Sequence, residues 1–117
     1  INDYDPDVEM ADATRETQTS VLRMLKDYDP HQEGNELVNV ASYIPRVADR
    51  FSSHWDYNEN GAADSDDVFT LIDHILVDRQ FTAGVKRAFI CHASSLDISD
   101  HFPVIVDLDL SAIPSNR

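Results

Sequence analysis

Basic residues are scarce in this chain. Nine Lys and Arg stand against 22 Asp and Glu, for a formal net charge of −13. Such a balance keeps a chain soluble and opposes non-specific binding to a phosphate backbone. It does not exclude chemistry on phosphoesters, because a divalent ion reverses the charge at a site. It favours small phosphoesters or a metal-rich extracellular setting. Cysteine is nearly absent: Cys91 is alone, so no disulfide forms within the chain, and the redox compartment stays open. Cys91 reads as a small apolar residue rather than a nucleophile. No apolar run reaches the length of a membrane span, and no stretch reads as a signal peptide. Internal repeats and low-complexity tracts are missing too. What is present is a 42% apolar content over 117 residues, enough for the core of one domain or part of one.

Local patterns divide the chain. Residues 2–12 are acidic, contain Pro6 and read as a loop. Ser20 is placed to cap a helix running to about Tyr28, with Val21, Leu22, Met24 and Leu25 as its apolar face. Asp29-Pro30 ends it. A polar loop with Gly34 follows. Residues 36–43 read as a short helix or an extended segment, closed by Pro45. Arg50 to Trp55 alternates polar and aromatic residues, as a strand does. Residues 56–67 are a loop, and Phe69–Val77 is a strong strand. Arg79–Gly84 is a turn or a single helical turn, Val85–Cys91 a strand, Ala93–Ser99 a polar loop and Pro103–Leu110 the last strand.

Two segments carry chemistry. They are Leu71-Ile72-Asp73-His74-Ile75-Leu76-Val77 and Ser99-Asp100-His101-Phe102-Pro103-Val104-Ile105-Val106. Each sets an Asp or Asp-His beside β-branched and aliphatic residues of the kind that fill buried strands. A carboxylate in that position is costly without a partner or a metal. On its own, an Asp-His at a strand end is more often a capped turn than a site. Two in one short chain point to one site built from strand ends.

In this order the two motifs resemble the C-terminal half of the endonuclease/exonuclease/phosphatase superfamily, the metal-dependent phosphoesterases related to pancreatic deoxyribonuclease. The opening Ile1-Asn2-Asp3-Tyr4-Asp5 resembles the tail of that family's Gly-Asp-x-Asn motif. The likeness is weak between Thr14 and Ala48. It implies an α/β fold, the C-terminal half of a four-layer sandwich of two packed mixed β-sheets flanked by helices. Residues 1–117 would then be the C-terminal part of a single domain. Its N-terminal half, with a metal-binding Glu, is expected outside this chain, and an apolar sheet face is expected to lie uncovered.

The resemblance also implies roles. His101 is the site histidine, as general base or as donor to the phosphate. Asp73 accepts a hydrogen bond from its other ring nitrogen, with the two strands close neighbours in one sheet. Asp100 binds Mg2+ or Mn2+, since hard cations take oxygen ligands. Asn2 holds a phosphoryl oxygen or the attacking water. His74 follows Asp73, so it points to the opposite face and reads as structural. His54 either approaches the phosphate or is an exposed strand residue. His31 and His92 receive no role.

A second pattern is Asp56-Tyr57-Asn58-Glu59-Asn60-Gly61, the start of a calcium loop, D-x-[DN]-x-[DN]-G. Counting on, Ala62 offers a carbonyl at position seven, Asp64 falls at nine and Asp67 at twelve, where the EF-hand has Glu. The Asp variant resembles bacterial dockerin-type loops. The competing reading is a solvated acidic turn, because Asn-Gly is itself a hairpin signal. Oxygens of Asp56, Asn58, Asn60 and Asp67 are expected to converge on a structural Ca2+.

These readings lead to a divalent-metal-dependent phosphodiesterase, first of all an extracellular nuclease, with phosphomonoesters or phospholipids as second substrates. The expected partners are a phosphoester substrate, nucleic acid among them, and the N-terminal half of the domain. The rival is an inactive calcium-stabilised binding or structural module on the same scaffold.

Overall fold

The computed structural model describes residues 4–5, 7–8, 21–93 and 98–114. One short helix, α1 (Val21–Lys26), precedes six strands: β1 (Leu37–Asn39), β2 (Ser53–Trp55), β3 (Val68–Thr70), β4 (Leu76–Asp78), β5 (Val85–Ile90) and β6 (Val104–Leu108). Tight 3-10 turns fill much of the remainder, at Val40–Tyr43, Val47–Asp49, Arg79–Gly84 and Leu110–Ala112. The strands pair antiparallel in twos, β1 with β4, β2 with β3 and β5 with β6. The described residues thus form a small mixed α/β domain of small antiparallel sheets with few helices.

The β5–β6 pair is the longest ladder. Its register sets Ala88 opposite Val106 and Ile90 opposite Val104, and this face packs into the core. The core continues through Val8, Val40, Ala41, Ile44, Leu71, Val77 and Phe102. On the other face, Arg87 pairs with Asp107 and lies over the Phe89 ring at 4.8 Å. Phe89 and Ile105 there are half-buried. This outer face of β5 and β6 is thus mixed, charged at Arg87 and Asp107 and apolar at Phe89 and Ile105. Gly84 is required where the ladder begins. A Cβ there would meet the Asp109 carbonyl oxygen at 2.6 Å.

The segment read as one strand, Phe69–Val77, is two. β3 pairs with β2, β4 pairs with β1, and residues 71–75 cross between the sheets without a ladder. The backbone bonds of that crossing go elsewhere. The Ile75 carbonyl accepts from the Val40 N–H at 3.0 Å. The Ile72 and Asp73 N–H groups donate to the Ser52 hydroxyl.

Helix α1 differs from its sequence reading in which face it buries. Leu22 and Lys26, one turn apart, point inward, while Val21, Met24 and Leu25 are exposed. Lys26 is only 2% exposed because its ammonium meets Asp5 at 2.6 Å and also Asp7. The Asp5 side chain is fully buried and takes further bonds from the Asn39 amide and the Asp7 N–H, both at 3.0 Å. A buried ion pair persists only when the remaining lone pairs are met in this way. Asn39 donates to His74 Nδ1 as well, at 2.9 Å, and its own oxygen accepts from the Ala41 N–H. One polar chain therefore joins α1, the residues around Asp5, β1 and the crossing segment.

Removing the ammonium strands a buried carboxylate. Lys26→Met should lower unfolding stability by about 3–5 kcal/mol in urea melts. The pH profile carries the same signature. The Lys26 hydrogen bond holds the Asp7 carboxyl below its ordinary value of 3.8. A depressed folded value gives stability present above about pH 3.8 and lost as pH falls through the folded value. Lys26→Met should flatten that acid limb.

Candidate active site

Strand β2 is the axis of the site. On one side, the Ser52 N–H donates to the Thr70 carbonyl at 2.8 Å, continuing the β3 pairing. On the other side, the His54 N–H donates to the Asp100 carbonyl at 2.9 Å and the Phe102 N–H to the Ser52 carbonyl at 2.7 Å. Ser53 and His101 form a single antiparallel bridge between them. The motif around His101 therefore lies along one edge of β2. The crossing segment with Asp73 leaves from the other edge. The segments bearing Asp73 and His101 are not sheet neighbours, as the sequence reading had it, because β2 runs between them.

The two side chains nevertheless meet. His101 Nδ1 lies 2.7 Å from Asp73 Oδ2, and both side chains are 37% exposed. The His101 N–H is held by the Ser99 hydroxyl at 3.0 Å. With Nδ1 donating to the carboxylate, the neutral ring presents the Nε2 lone pair as an acceptor. Asp100 stands next to it, 68% exposed, with Oδ1 3.9 Å from His101 Nε2. The arrangement is an oriented imidazole with an open nitrogen and a solvent-facing carboxylate beside it. That set can move a proton at Nε2 and hold a hard cation at Asp100. Asn2 lies outside the described residues.

Three other histidines, His54, His74 and His92, are occupied, while His31 is exposed in the loop after α1. His54 is neither exposed nor free for a phosphate. It is buried, stacked on Phe69 at 4.5 Å and bonded through Nε2 to Asp67 Oδ2 at 2.6 Å. His74 turns to Asn39, on the side away from His101. His92 stacks on Phe51 at 3.8 Å and bonds the Phe51 carbonyl. Cys91 is half-buried.

Within residues 56–67 the donors are arranged differently from the expected convergence. The Asp56 carboxylate caps its own turn, accepting from the Asn60 and Gly61 N–H groups. Gly61 at φ 77° and Glu59 at φ 56° make the turn possible. The Asn58 and Asn60 amides both close on Asp64 Oδ2. These bonds, the Asn58 amide first, hold the Asp64 carboxyl below its ordinary value. Asp67 turns inward to His54 and the Asp64 N–H. So Asn58, Asn60 and Asp64 come together, while Asp56 and Asp67 are engaged elsewhere.

Among the described residues, no three His, Cys, Asp or Glu side chains group to hold a metal ion. One carboxylate is compatible with Mg2+, which keeps several waters and uses one or two protein carboxylates. The oxygen-rich loop suits Ca2+, and buried Asp67 Oδ1 has no hydrogen-bond partner among the described residues. No described helix is long and apolar enough to cross a membrane. No family model, curated protein or solved structure matches this chain.

Three features escaped the sequence reading: the hydroxyl of Ser52, the His54–Asp67 pair and the Lys26 network. For Ser52 and His54 the only signal was the polar-aromatic alternation of residues 50–55, which marked a strand without saying which polar side chains it buries; the Lys26 network had none. His54→Phe preserves the stacking on Phe69 and leaves the buried Asp67 carboxylate without its imidazole. The unfolding free energy should fall by about 1–3 kcal/mol in chemical denaturation, the cost of a stranded buried acceptor.

Proposed function

We propose that the chain carries part of the active site of a divalent-metal-dependent phosphoesterase of the endonuclease/exonuclease/phosphatase type. The single observation behind the reading is the 2.7 Å contact between His101 Nδ1 and Asp73, formed by segments 28 positions apart, with Asp100 beside it. The family's fold, a four-layer sandwich to which this chain would contribute the C-terminal half, belongs to the same proposal.

The chemistry follows from the residues. Asp73 keeps the proton on Nδ1 and the ring in one orientation. The neutral His101 then takes a proton at Nε2 from an attacking water, or the imidazolium donates one from Nε2 to a phosphate oxygen. Asp100 would hold Mg2+ or Mn2+, which supplies charge stabilisation to the phosphoryl oxygens. Asn2 would orient a phosphoryl oxygen or the water. The substrate is a phosphodiester, with nucleic acid in an extracellular setting first, and phosphomonoesters or phospholipids after it.

Ca2+ in the 56–67 loop belongs to this proposal as a structural ion. Asp56, Asn58, Asn60, Ala62, Asp64 and Asp67 are its candidate ligands. The D-x-[DN]-x-[DN]-G spacing and the tight turn at Gly61 support it, and binding would turn the Asn58 and Asn60 amides so that their oxygens, not their NH2 groups, face the ion. The thermal midpoint should rise with Ca2+, fall with chelator, and stop responding in Asp64→Ala. A midpoint indifferent to both leaves a solvated turn.

Turnover tests the enzyme. With Mg2+ or Mn2+, the complete protein, N-terminal half included, should hydrolyse a phosphodiester, and His101→Ala in it should lower kcat by at least ~10²-fold with a much smaller change in KM. Hydrolysis of neither nucleic acid nor simple phosphate esters would favour the inactive, calcium-stabilised module instead.

A further inference from the structure

We infer that Ser52 is the positioning residue of the Asp73–His101 pair. The role as stated rests on the reading of that pair as the catalytic one. Ser52 is wholly buried. Its hydroxyl oxygen accepts the N–H groups of Ile72 and Asp73, both at 3.0 Å. Two accepted bonds use both lone pairs of a hydroxyl. Its carbonyl accepts the N–H of Phe102, the residue after His101, at 2.7 Å. One residue therefore grips the backbone on both sides of the pair.

The two grips differ in kind. The bond to Phe102 is backbone to backbone and survives any ordinary substitution at position 52. The bonds to Ile72 and Asp73 depend on the side chain. Residues 71–75 have no ladder partner, so no neighbouring strand replaces the lost acceptor. Loss of the hydroxyl thus frees the Asp73 side of the pair and leaves the His101 side in place. Asp73 then no longer holds the ring nitrogen at a fixed distance, and the imidazole loses its fixed orientation. The expected lesion resembles removal of the Asp73 carboxylate, not general loosening of the fold.

The test is proton NMR of the full chain, with hydrogen exchange. In Ser52→Ala, the Ile72 and Asp73 amides should exchange about 10-fold faster, as for the loss of one ordinary hydrogen bond. The downfield His101 Nδ1–H resonance, present in the parent, should be lost as it is in Asp73→Ala. Amides of the β5–β6 ladder should keep their protection. Ser52→Cys keeps most of the volume while offering a weaker acceptor, and should show the same pattern if the alanine variant does not fold. In turnover, Ser52→Ala should lower kcat with KM nearly unchanged. The Ser52→Ala/Asp73→Ala double variant should be no slower than Asp73→Ala alone, the non-additivity expected of residues acting as one unit. Retention of the Nδ1–H resonance in Ser52→Ala overturns the inference. So does loss of β5–β6 protection together with the resonance in both variants, since that marks a purely structural role. The resonance needs no substrate. A parent that hydrolyses no phosphodiester would therefore fail the functional reading alone, and the NMR result would still decide the placement of Asp73.

Discussion

The structure depends on how a part-buried backbone without a ladder meets its hydrogen bonds. Residues 71–75 pass from the β2–β3 sheet to the β1–β4 sheet, with Leu71 buried and residues 72–75 half-buried. A buried N–H without an acceptor costs about 1–3 kcal/mol. The fold meets the requirement with the side chain of Ser52, just before β2, and a backbone amide from the turn after β1. Those bonds fix where each sheet stands relative to the crossing, and hence where the residues at its centre lie. Asp73 and His74 are consecutive, yet one faces His101 and the other Asn39. Consecutive residues of an extended backbone point to opposite sides, so this short stretch serves both at once.

Charge is the second organising feature. The chain has few cations, and the described structure places several of them in structural roles. Lys26 is buried between two carboxylates. Arg50 donates to the Ile44 and Ser42 carbonyls, and Arg87 is engaged with Asp107 and Phe89. In the proposed reaction, an anionic phosphoester approaching Asp100 and Asp73 would meet a surrounding field of its own sign, from a chain with net charge −13. The proposed divalent ion would therefore serve substrate approach as well as catalysis. This dependence on an ion is what separates such a site from the arginine- and lysine-lined clefts that bind phosphates directly.

How much was legible in the sequence varies by element. β5 and β6 were read to within a residue or two, because alternation and β-branched residues mark a strand with one face in the core. The loop at 56–67 was readable from its Asp, Asn and Gly content. The division of residues 69–77 was not, because a continuous apolar run says nothing about where a strand changes partners. The inward turn of Lys26 was hidden for a related reason. Its ion-pair partner Asp5 is 21 positions away, and a lysine in a short helix reads as solvated until that partner is known. His54 was read as either near the phosphate or exposed, and neither reading foresaw its burial, because neither local pattern nor spacing reveals that Asp67 comes back beneath it. The meeting of Asp73 and His101 was expected from family resemblance. Periodicity alone pointed to two carboxylates in need of partners without pairing them.

The amide of Asn39 has a consequence for how this sequence can drift. Its oxygen is committed to the Ala41 N–H, so its nitrogen must face both Asp5 and His74. Facing a donor, His74 Nδ1 acts as an acceptor, and the neutral ring carries its proton on Nε2. A carboxylate at position 39 would keep the bond from the Ala41 N–H but reverse the other two, putting acid against Asp5 and requiring a proton on Nδ1 of His74. Positions 5, 26, 39 and 74 therefore form a unit of inheritance. In relatives of this chain they should change together or not at all, and a lone exchange at position 39 should occur only beside a compensating one at position 5 or 74.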